Sequence, residues 1–182
     1  MTQLRFTTAQ QVLEAFPSLQ ESVTVKPFDV EPLAYIRTLL KSETPEQALG
    51  FCAYLMAKRD AVQWLCQLLR LPGQSLSPSD DALVKLAEEW VRSPTETSRS
   101  AALAAGIADK EKTAAAWAAI AAGWSGGNMS SDDKHPVPPP QHLTAQGVTV
   151  ALKLLIAATA QPQHLKKIEE YANAAIGLLK RK

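Results

Sequence analysis

The sequence predicts an all-α protein, a single-domain irregular helical bundle of about eight or nine helices with one long Gly/Pro-rich loop. Two observations lead to this prediction. Apolar residues recur at helical spacing along most of the chain, and clear helix-start signals separate the runs. Almost no stretch alternates apolar and polar residues with the period of two that is typical of a strand. Helix packing must therefore supply the core.

Length and composition narrow the class further. A chain of 182 residues suits one domain, here residues 1–182, and can bury roughly 70% of its unfolded surface without a disulfide or structural metal. Charged residues make up 20% and the formal net charge is +1, so no overall field would attract nucleic acid. No glycine-rich phosphate loop follows a strand, and no Glu-x-x-His pair is present. We therefore expect no nucleic acid partner and no cofactor.

The cysteines and the apolar stretches indicate the cellular compartment of the protein. Cys52 and Cys66 lie inside apolar helical patterns outside any Cys-x-x-Cys pair, which indicates buried thiols in a reducing compartment. The longest apolar stretch, residues 148–160, is interrupted by Lys153 and is too short to span a bilayer. The first residues lack the apolar run of a signal peptide. These features predict a soluble, cytoplasmic protein without a membrane span.

The first third of the chain offers three helix predictions. Residues 1–28 hold a short helix capped by Thr8 and then an extended segment over 23–28, and helical spacing resumes over 29–41. Thr44 as N-cap, followed by proline and by Gln47 three residues on, fits a capping box. An apolar helix should follow it.

The middle of the chain continues in the same way. An apolar face over 61–69 ends at a Pro-Gly pair, and Ser77 and Ser93 each precede a proline with an acid in the following turn. Residues 101–122 are more than half alanine, which predicts a tightly packed helical hairpin that breaks near Gly106 or Asp109.

The tryptophan spacing allows a second architecture. Trp64, Trp90 and Trp117 recur at similar intervals, as in a helical repeat, but their neighbours do not repeat, which favours an irregular bundle. Two further helices are predicted over 143–160 and 164–179, separated by Gln-Pro-Gln.

The long loop over residues 123–142, which we expect to be ordered, opens with Gly123-Trp-Ser125-Gly-Gly127, a formal match to the Gly-x-Ser-x-Gly nucleophile elbow. A hydrolase would use Ser125 with an acid and a base further along the chain. The candidate acids are Asp132 and Asp133, and the candidate bases are His135, His142 and His164. The elbow needs a buried strand before the serine, and here an alanine-rich helix precedes it. We therefore assign no catalytic residues.

A structural interpretation explains the same residues better. Gly126 or Gly127 can adopt the left-handed conformation that ends a helix over 114–124, and Trp124 can pack back over its last turn. The residues Asp132, Asp133, His135 and His142 also invite a metal interpretation, but their spacing matches no zinc motif and prolines separate the histidines. We expect no metal site.

The Pro136–Pro140 run favours polyproline II, a preorganised conformation with few internal hydrogen bonds. It could dock on aromatic residues of this protein, for which Trp90, Trp117 and Trp124 are the natural platform, or bind a partner. Docking within the chain is the default expectation.

A second patch is Arg59, Asp60 and Trp64, which helical spacing places close together. This patch could form a polar binding site for a partner. The commoner outcome is a helix-hairpin corner with an Arg–Asp pair.

Three segments together resemble an uncharacterised bacterial family, a domain of unknown function. They are Met56-Ala-Lys-Arg-Asp-Ala-Val-Gln-Trp64, Trp90-Val-Arg-Ser-Pro94, and Trp124-Ser-Gly-Gly127 leading into Val137-Pro-Pro-Pro-Gln-His-Leu-Thr144. The resemblance covers residues 45–160, from which Asn128 and the charged segment 130–134 depart. It implies a small helical protein, with some members encoded near type VI secretion genes, and no established activity or catalytic residues.

These observations favour a non-enzymatic interaction protein, an adaptor or accessory factor that presents its loop to a protein partner. The candidate interaction residues are Trp124, Ser125, Gly126, Gly127, His135, Pro136, Pro138, Pro139, Pro140 and His142. One alternative is the serine hydrolase described above. Another is a purely structural loop, with a homodimer interface on the helices.

Overall fold

A computed structural model describes residues 5–27, 29–130 and 134–181. These ranges contain helices and no strand, which confirms the all-α prediction. The α-helices are α1 (Ala9–Ala15), α2 (Pro17–Ser22), α3 (Pro32–Leu40), α4 (Gln47–Leu55), α5 (Lys58–Leu69), α6 (Pro78–Arg92), α7 (Glu96–Ala108), α8 (Ala114–Gly123), α9 (Leu143–Ala157) and α10 (His164–Lys180), with a 3-10 helix at Gln161–Gln163.

The chain divides into two compact units, Met1–Ala57 with Leu155–Lys182, and Lys58–Leu154. The prediction of one domain over residues 1–182 stays a prediction. In the first unit, α4 is buried on nearly all sides and packs against α2, α3 and α10. Its core includes edge-to-face aromatic pairs, with the Tyr35 and Phe51 ring centroids 4.8 Å apart.

The second unit is built around α8, which packs against α5, α6 and α7. Its alanines are buried on most sides, so neighbouring helices can approach closely. A Cβ carbon added to Gly123 would lie 2.4 Å from Cβ of Leu103, and one added to Gly106 would lie 2.8 Å from the Ala116 oxygen. The predicted tight hairpin is therefore confirmed as α7 and α8, and α7 ends at Ala108, next to the expected break.

Several predicted helix starts are confirmed. Thr8 forms a full capping box with Gln11, and the Ser77 hydroxyl accepts a hydrogen bond from the Asp80 amide at the start of α6. Cys52 and Cys66 are both buried free thiols. The prediction of extended structure over 23–28 falls on a segment without strand pairing, and position 28 lies outside the described residues.

Two predicted caps are wrong. Thr44 does not cap α4, because its hydroxyl lies 3.1 Å from the Thr24 hydroxyl and the helix begins only at Gln47, whose side chain accepts bonds from Thr24. Ser93 does not cap α7. That role belongs to Thr95, whose hydroxyl accepts from the Ser98 amide, and the proline precedes the cap instead of following it.

Two further features depart from the expectations. The sequence predicts no helix between the Thr8-capped helix and the extended segment, yet Pro17–Ser22 forms α2. The regularly spaced tryptophans lie on α5, α6 and α8 and skip α7, so their spacing does not mark a fixed number of helices per unit. No helix in the described part of the chain is long and apolar enough to cross a membrane.

Candidate functional site

The candidate site begins at the carboxyl end of α8. Trp124 follows the last helical residue, Gly123, and its amide donates to the Ile120 oxygen at 2.9 Å. The Ser125 amide donates to the Ala122 oxygen at 3.2 Å. The last carbonyl groups of a helix have no partners within the helix and carry its partial negative charge. They need donors from elsewhere in the second unit.

Arg99 of α7 supplies one of these donors. Arg99 as a whole residue is 9% exposed, and its Nη1 donates to the Gly123 carbonyl oxygen at 2.5 Å. Its Nε and Nη2 donate to the two carboxylate oxygens of Glu96 at 2.8 and 2.5 Å. This paired hydrogen bonding lowers the pKa of the Glu96 carboxyl and raises the pKa of Arg99. The guanidinium therefore fixes the helix end while its charge is balanced.

Lys58 supplies the second donor. This residue begins α5, and its Nζ donates to the Ser125 carbonyl oxygen at 3.0 Å. A cation beside the negative end of a helix is favourable electrostatically. Arg99 of α7 and Lys58 of α5 thus donate hydrogen bonds to two carbonyl groups at the end of α8 and in the turn after it.

Gly127 lies against the guanidinium group of the same arginine. It has a φ of +85°, in the left-handed region where glycine avoids steric strain. A Cβ carbon there would be 2.3 Å from Nη2 of Arg99, whereas one on Gly126 would be 3.9 Å from the nearest side-chain atom. Of the two glycines proposed to end the helix, Gly127 is the one in the left-handed conformation.

Trp124 packs back along α8, as expected. Its ring meets that of Trp117 edge to face, with centroids 5.9 Å apart. Trp124 itself is half-buried. The indole is therefore part of the packing of this helix end and also borders solvent.

An open groove of about 410 Å³ lies beside the turn. Its lining combines the starts of α5 and α7 with the Ser-Gly-Gly backbone. The lining residues are Lys58, Arg59, Trp90, Pro94, Thr95, Glu96, Arg99, Ser125, Gly126 and Gly127.

Asn128 organises the next part of the loop. Its Oδ1 accepts from the Ser130 amide at 2.9 Å and from the Val137 amide at 2.7 Å. The Met129 amide donates to the Val137 oxygen at 2.8 Å. These bonds join two parts of the loop and bring together two apolar residues, of which Met129 is 54% and Val137 53% exposed.

The proline run is anchored at one point. Pro139 is buried, whereas Pro136, Pro138 and Pro140 are exposed. His135 is exposed and His142, just before α9, is half-buried. Most of the run therefore faces solvent, in contrast to the expectation that it docks within the chain.

Ser125, the candidate nucleophile of the hydrolase alternative, does not lie in a nucleophile elbow. An elbow places its serine before a helix, where amide groups can stabilise an oxyanion. Ser125 instead follows the carboxyl end of α8, among carbonyl groups. Asp132 and Asp133 lie outside the described residues, and Nε2 of His164 donates to the Thr159 oxygen at 2.8 Å.

The metal interpretation gains no geometric support. Within the described ranges, no three His, Cys, Asp or Glu side chains come together as they would around a metal ion. The two acids of the proposed set, Asp132 and Asp133, are outside those ranges.

Burial removes one of the three residues of the second predicted patch, Arg59, Asp60 and Trp64, from the surface. Trp64 is completely buried in α5, so it offers no surface to a partner. Arg59 is exposed and Asp60 is half-buried. Nε of Arg59 donates to the Val91 oxygen at the end of α6 at 2.6 Å. The exposed part of this patch therefore adjoins the groove described above.

Sequence reasoning missed Arg99 and Asn128, and it did not foresee that Lys58, next to the second predicted patch, bonds to the Ser125 oxygen. One signal was present for Arg99, because it lies three residues before Ala102, on the buried face of α7. A buried arginine requires partners, and the unpaired carbonyl groups after α8 are natural ones. Asn128 gave no comparable signal, since its partners lie up to nine residues away.

The chain belongs to a family of unknown function (DUF6931), whose model matches residues 35–179. The match includes α8, the turn and the proline run. No curated protein matches the chain, and no solved structure matches it.

Proposed function

We propose that this protein is a non-enzymatic adaptor or accessory protein that presents its loop over residues 124–142 to a protein partner. The observation that carries the proposal is the backbone hydrogen bond between Met129 and Val137, which ties together two residues with exposed apolar side chains. Contiguous exposed apolar surface is a common feature of interaction sites. The resemblance to a family with some members encoded near type VI secretion genes suggests a component of such an apparatus as the partner.

Two anchoring contacts in the described part of the loop support the same proposal. Binding costs less conformational entropy when the contact residues are already fixed. Here Asn128 ties the Val137 amide, and buried Pro139 anchors the proline run. The exposed prolines on either side are preorganised in the way that peptide-binding partners exploit.

The enzymatic alternative has weaker support. Ser125 is placed among carbonyl groups, and Lys58 and Arg99 are engaged with the backbone of the helix end. Neither arrangement supplies a base that would activate the serine hydroxyl.

Affinity capture from a native lysate, with mass spectrometry of the bound proteins, tests the proposal. The loop variant combines Met129→Ser with Val137→Ser. The matched control is Ile107→Ser on α7, which removes an apolar side chain that is also exposed. We expect wild type and the control to retain a secretion-apparatus protein that the loop variant loses.

Equal recovery of all bound proteins by the loop variant and the control would contradict the proposal. Light scattering of the purified protein separates the homodimer alternative. Self-association that the loop variant leaves intact, with no other bound protein, would favour a helix-mediated homodimer instead.

A further inference from the structure

The groove beside the Ser125–Gly127 turn concentrates positive charge. Three of its lining side chains are cations, Lys58, Arg59 and Arg99, and among the described residues Glu96 is the one carboxylate in the lining. The formal net charge of the entire chain is only +1. A groove with this local excess is complementary to an acidic ligand.

The three cations differ in whether their hydrogen-bond donors are already used within the protein. Arg99 is buried and binds both Glu96 and the Gly123 oxygen. Lys58 binds the Ser125 oxygen. These two side chains hold the wall of the groove in place, so their charges are fixed before a ligand arrives.

Arg59 is placed to contact the ligand. It is exposed, and its Nε is held by the Val91 oxygen at 2.6 Å. Among the residues that the structure describes, its Nη1 and Nη2 atoms make no hydrogen bond. These two atoms form the fork that binds a carboxylate through parallel hydrogen bonds. The bond to Val91 orients this fork in advance.

The remaining lining fits a peptide better than a compact ion. Pro94 is exposed and contributes apolar surface, whereas Trp90 is only 5% exposed, and Ser125 to Gly127 complete the lining. The volume of about 410 Å³ accommodates several side-chain-sized groups. A segment with a carboxylate side chain next to apolar atoms would match both parts of the groove.

We propose that this groove binds an acidic segment of the protein partner, with Arg59 as the residue that contacts a carboxylate directly. The inference rests on the proposed function and identifies the chemistry of the partner. It also gives the exposed arginine of the second predicted patch a role next to the loop.

Isothermal titration calorimetry with blocked peptides tests the inference. The probe is tetraglutamate with an acetylated and an amidated end, and tetraglutamine with the same ends is the neutral comparison. We expect wild type to bind tetraglutamate with a Kd below about 1 mM at low salt and to bind tetraglutamine much more weakly. Added salt should weaken the binding.

Two variants separate a contact from an effect of overall charge. Arg59→Gln keeps an amide that can donate to the Val91 oxygen, so the fold should persist, and it should weaken tetraglutamate binding about tenfold. Arg37→Gln removes an arginine of α3 that is also exposed, and this variant should bind as wild type does. A circular dichroism melt establishes that both variants are folded.

Several outcomes would overturn the inference. These are no binding of tetraglutamate by wild type, equal binding by the two variants, or binding of inorganic phosphate in preference to the peptide. Self-association that Arg59→Gln abolishes, without peptide binding, would assign the groove to a second copy. If capture of a partner depends on Met129 and Val137 but not on Arg59, this inference fails while the proposed function stands.

Discussion

The guanidinium of Arg99 lies so close to the backbone of Gly127 that a Cβ carbon on the glycine would be 2.3 Å from Nη2 and 2.4 Å from Cζ. Glycine is therefore required there for two reasons, the close approach and a φ of +85°. The arginine and the glycine together define the path of the chain as it leaves α8. The direction of the chain at this point determines where the rest of the 124–142 loop lies.

Gly127→Ala should destabilise the protein more than Gly73→Ala does. Both glycines have a positive φ, so each alanine costs about 1–2 kcal/mol of backbone strain. Only Gly127 adds a clash with Arg99, because nothing lies within 4 Å of a Cβ carbon on Gly73. Urea unfolding would measure the difference, which we expect to exceed about 1 kcal/mol. Equal losses would show that the arginine moves away freely.

Arg99→Met should be strongly destabilising, by about 2–4 kcal/mol, because it leaves the Gly123 carbonyl oxygen without its donor. Glu96→Gln is the matched comparison. The Glu96 side chain is 68% exposed, so loss of its ion pair should cost less than about 1 kcal/mol. Thermal or urea denaturation of both variants distinguishes them. A loss for Glu96→Gln as large as that for Arg99→Met would contradict the role given to the helix-end contact.

Local chemistry accounts for the parts of the fold that the sequence predicted. Thr8 and Ser77 cap helices through neighbours three residues away, so their roles can be inferred from the local sequence. Gly127 is left-handed as the sequence predicts, although α8 already ends at Gly123 and has Trp124 as its C-cap. The alanine-rich hairpin was predictable because small side chains favour close helix packing.

Partners that lie far apart in the chain account for the errors. Thr44 had the correct spacing for a cap, but Thr24 is within reach of its hydroxyl. The role of Arg99 depends on Gly123, 24 residues later, and that of Lys58 on Ser125, 67 residues later. Spacing within one helix contains no information about such contacts. The charged groove beside the loop was missed for this reason.

Ser125 should not react as a catalytic nucleophile. A fluorophosphonate probe labels activated serines, and the position after the carboxyl end of α8 provides carbonyl groups in place of oxyanion donors. We expect native wild type and Ser125→Ala to give the same background labelling. Labelling of wild type that Ser125→Ala abolishes would establish the hydrolase alternative.

Cys66 should make the stability of the protein depend on alkaline pH. Burial, together with the nearby charge of Glu88, raises the pKa of this thiol to about 12 from its ordinary value of 9.0. The unfolded chain loses this proton first, so the contribution of Cys66 is complete below pH 9 and declines as the pH rises toward 12.

Urea unfolding between pH 8 and 11 would measure this slope. Cys66→Ala lacks the thiol and should show a shallower decline than wild type, whatever its stability at pH 8. Identical slopes would mean that the thiol already ionises in the folded protein.

Amide hydrogen exchange of the protein, with and without the partner recovered by affinity capture, tests the central claim most directly. We expect the partner to slow exchange in peptides that cover 124–130 and 134–142, while α10 exchanges at an unchanged rate. Slower exchange confined to α10 or to α3, with the loop unchanged, would contradict the claim that this loop is the interaction surface.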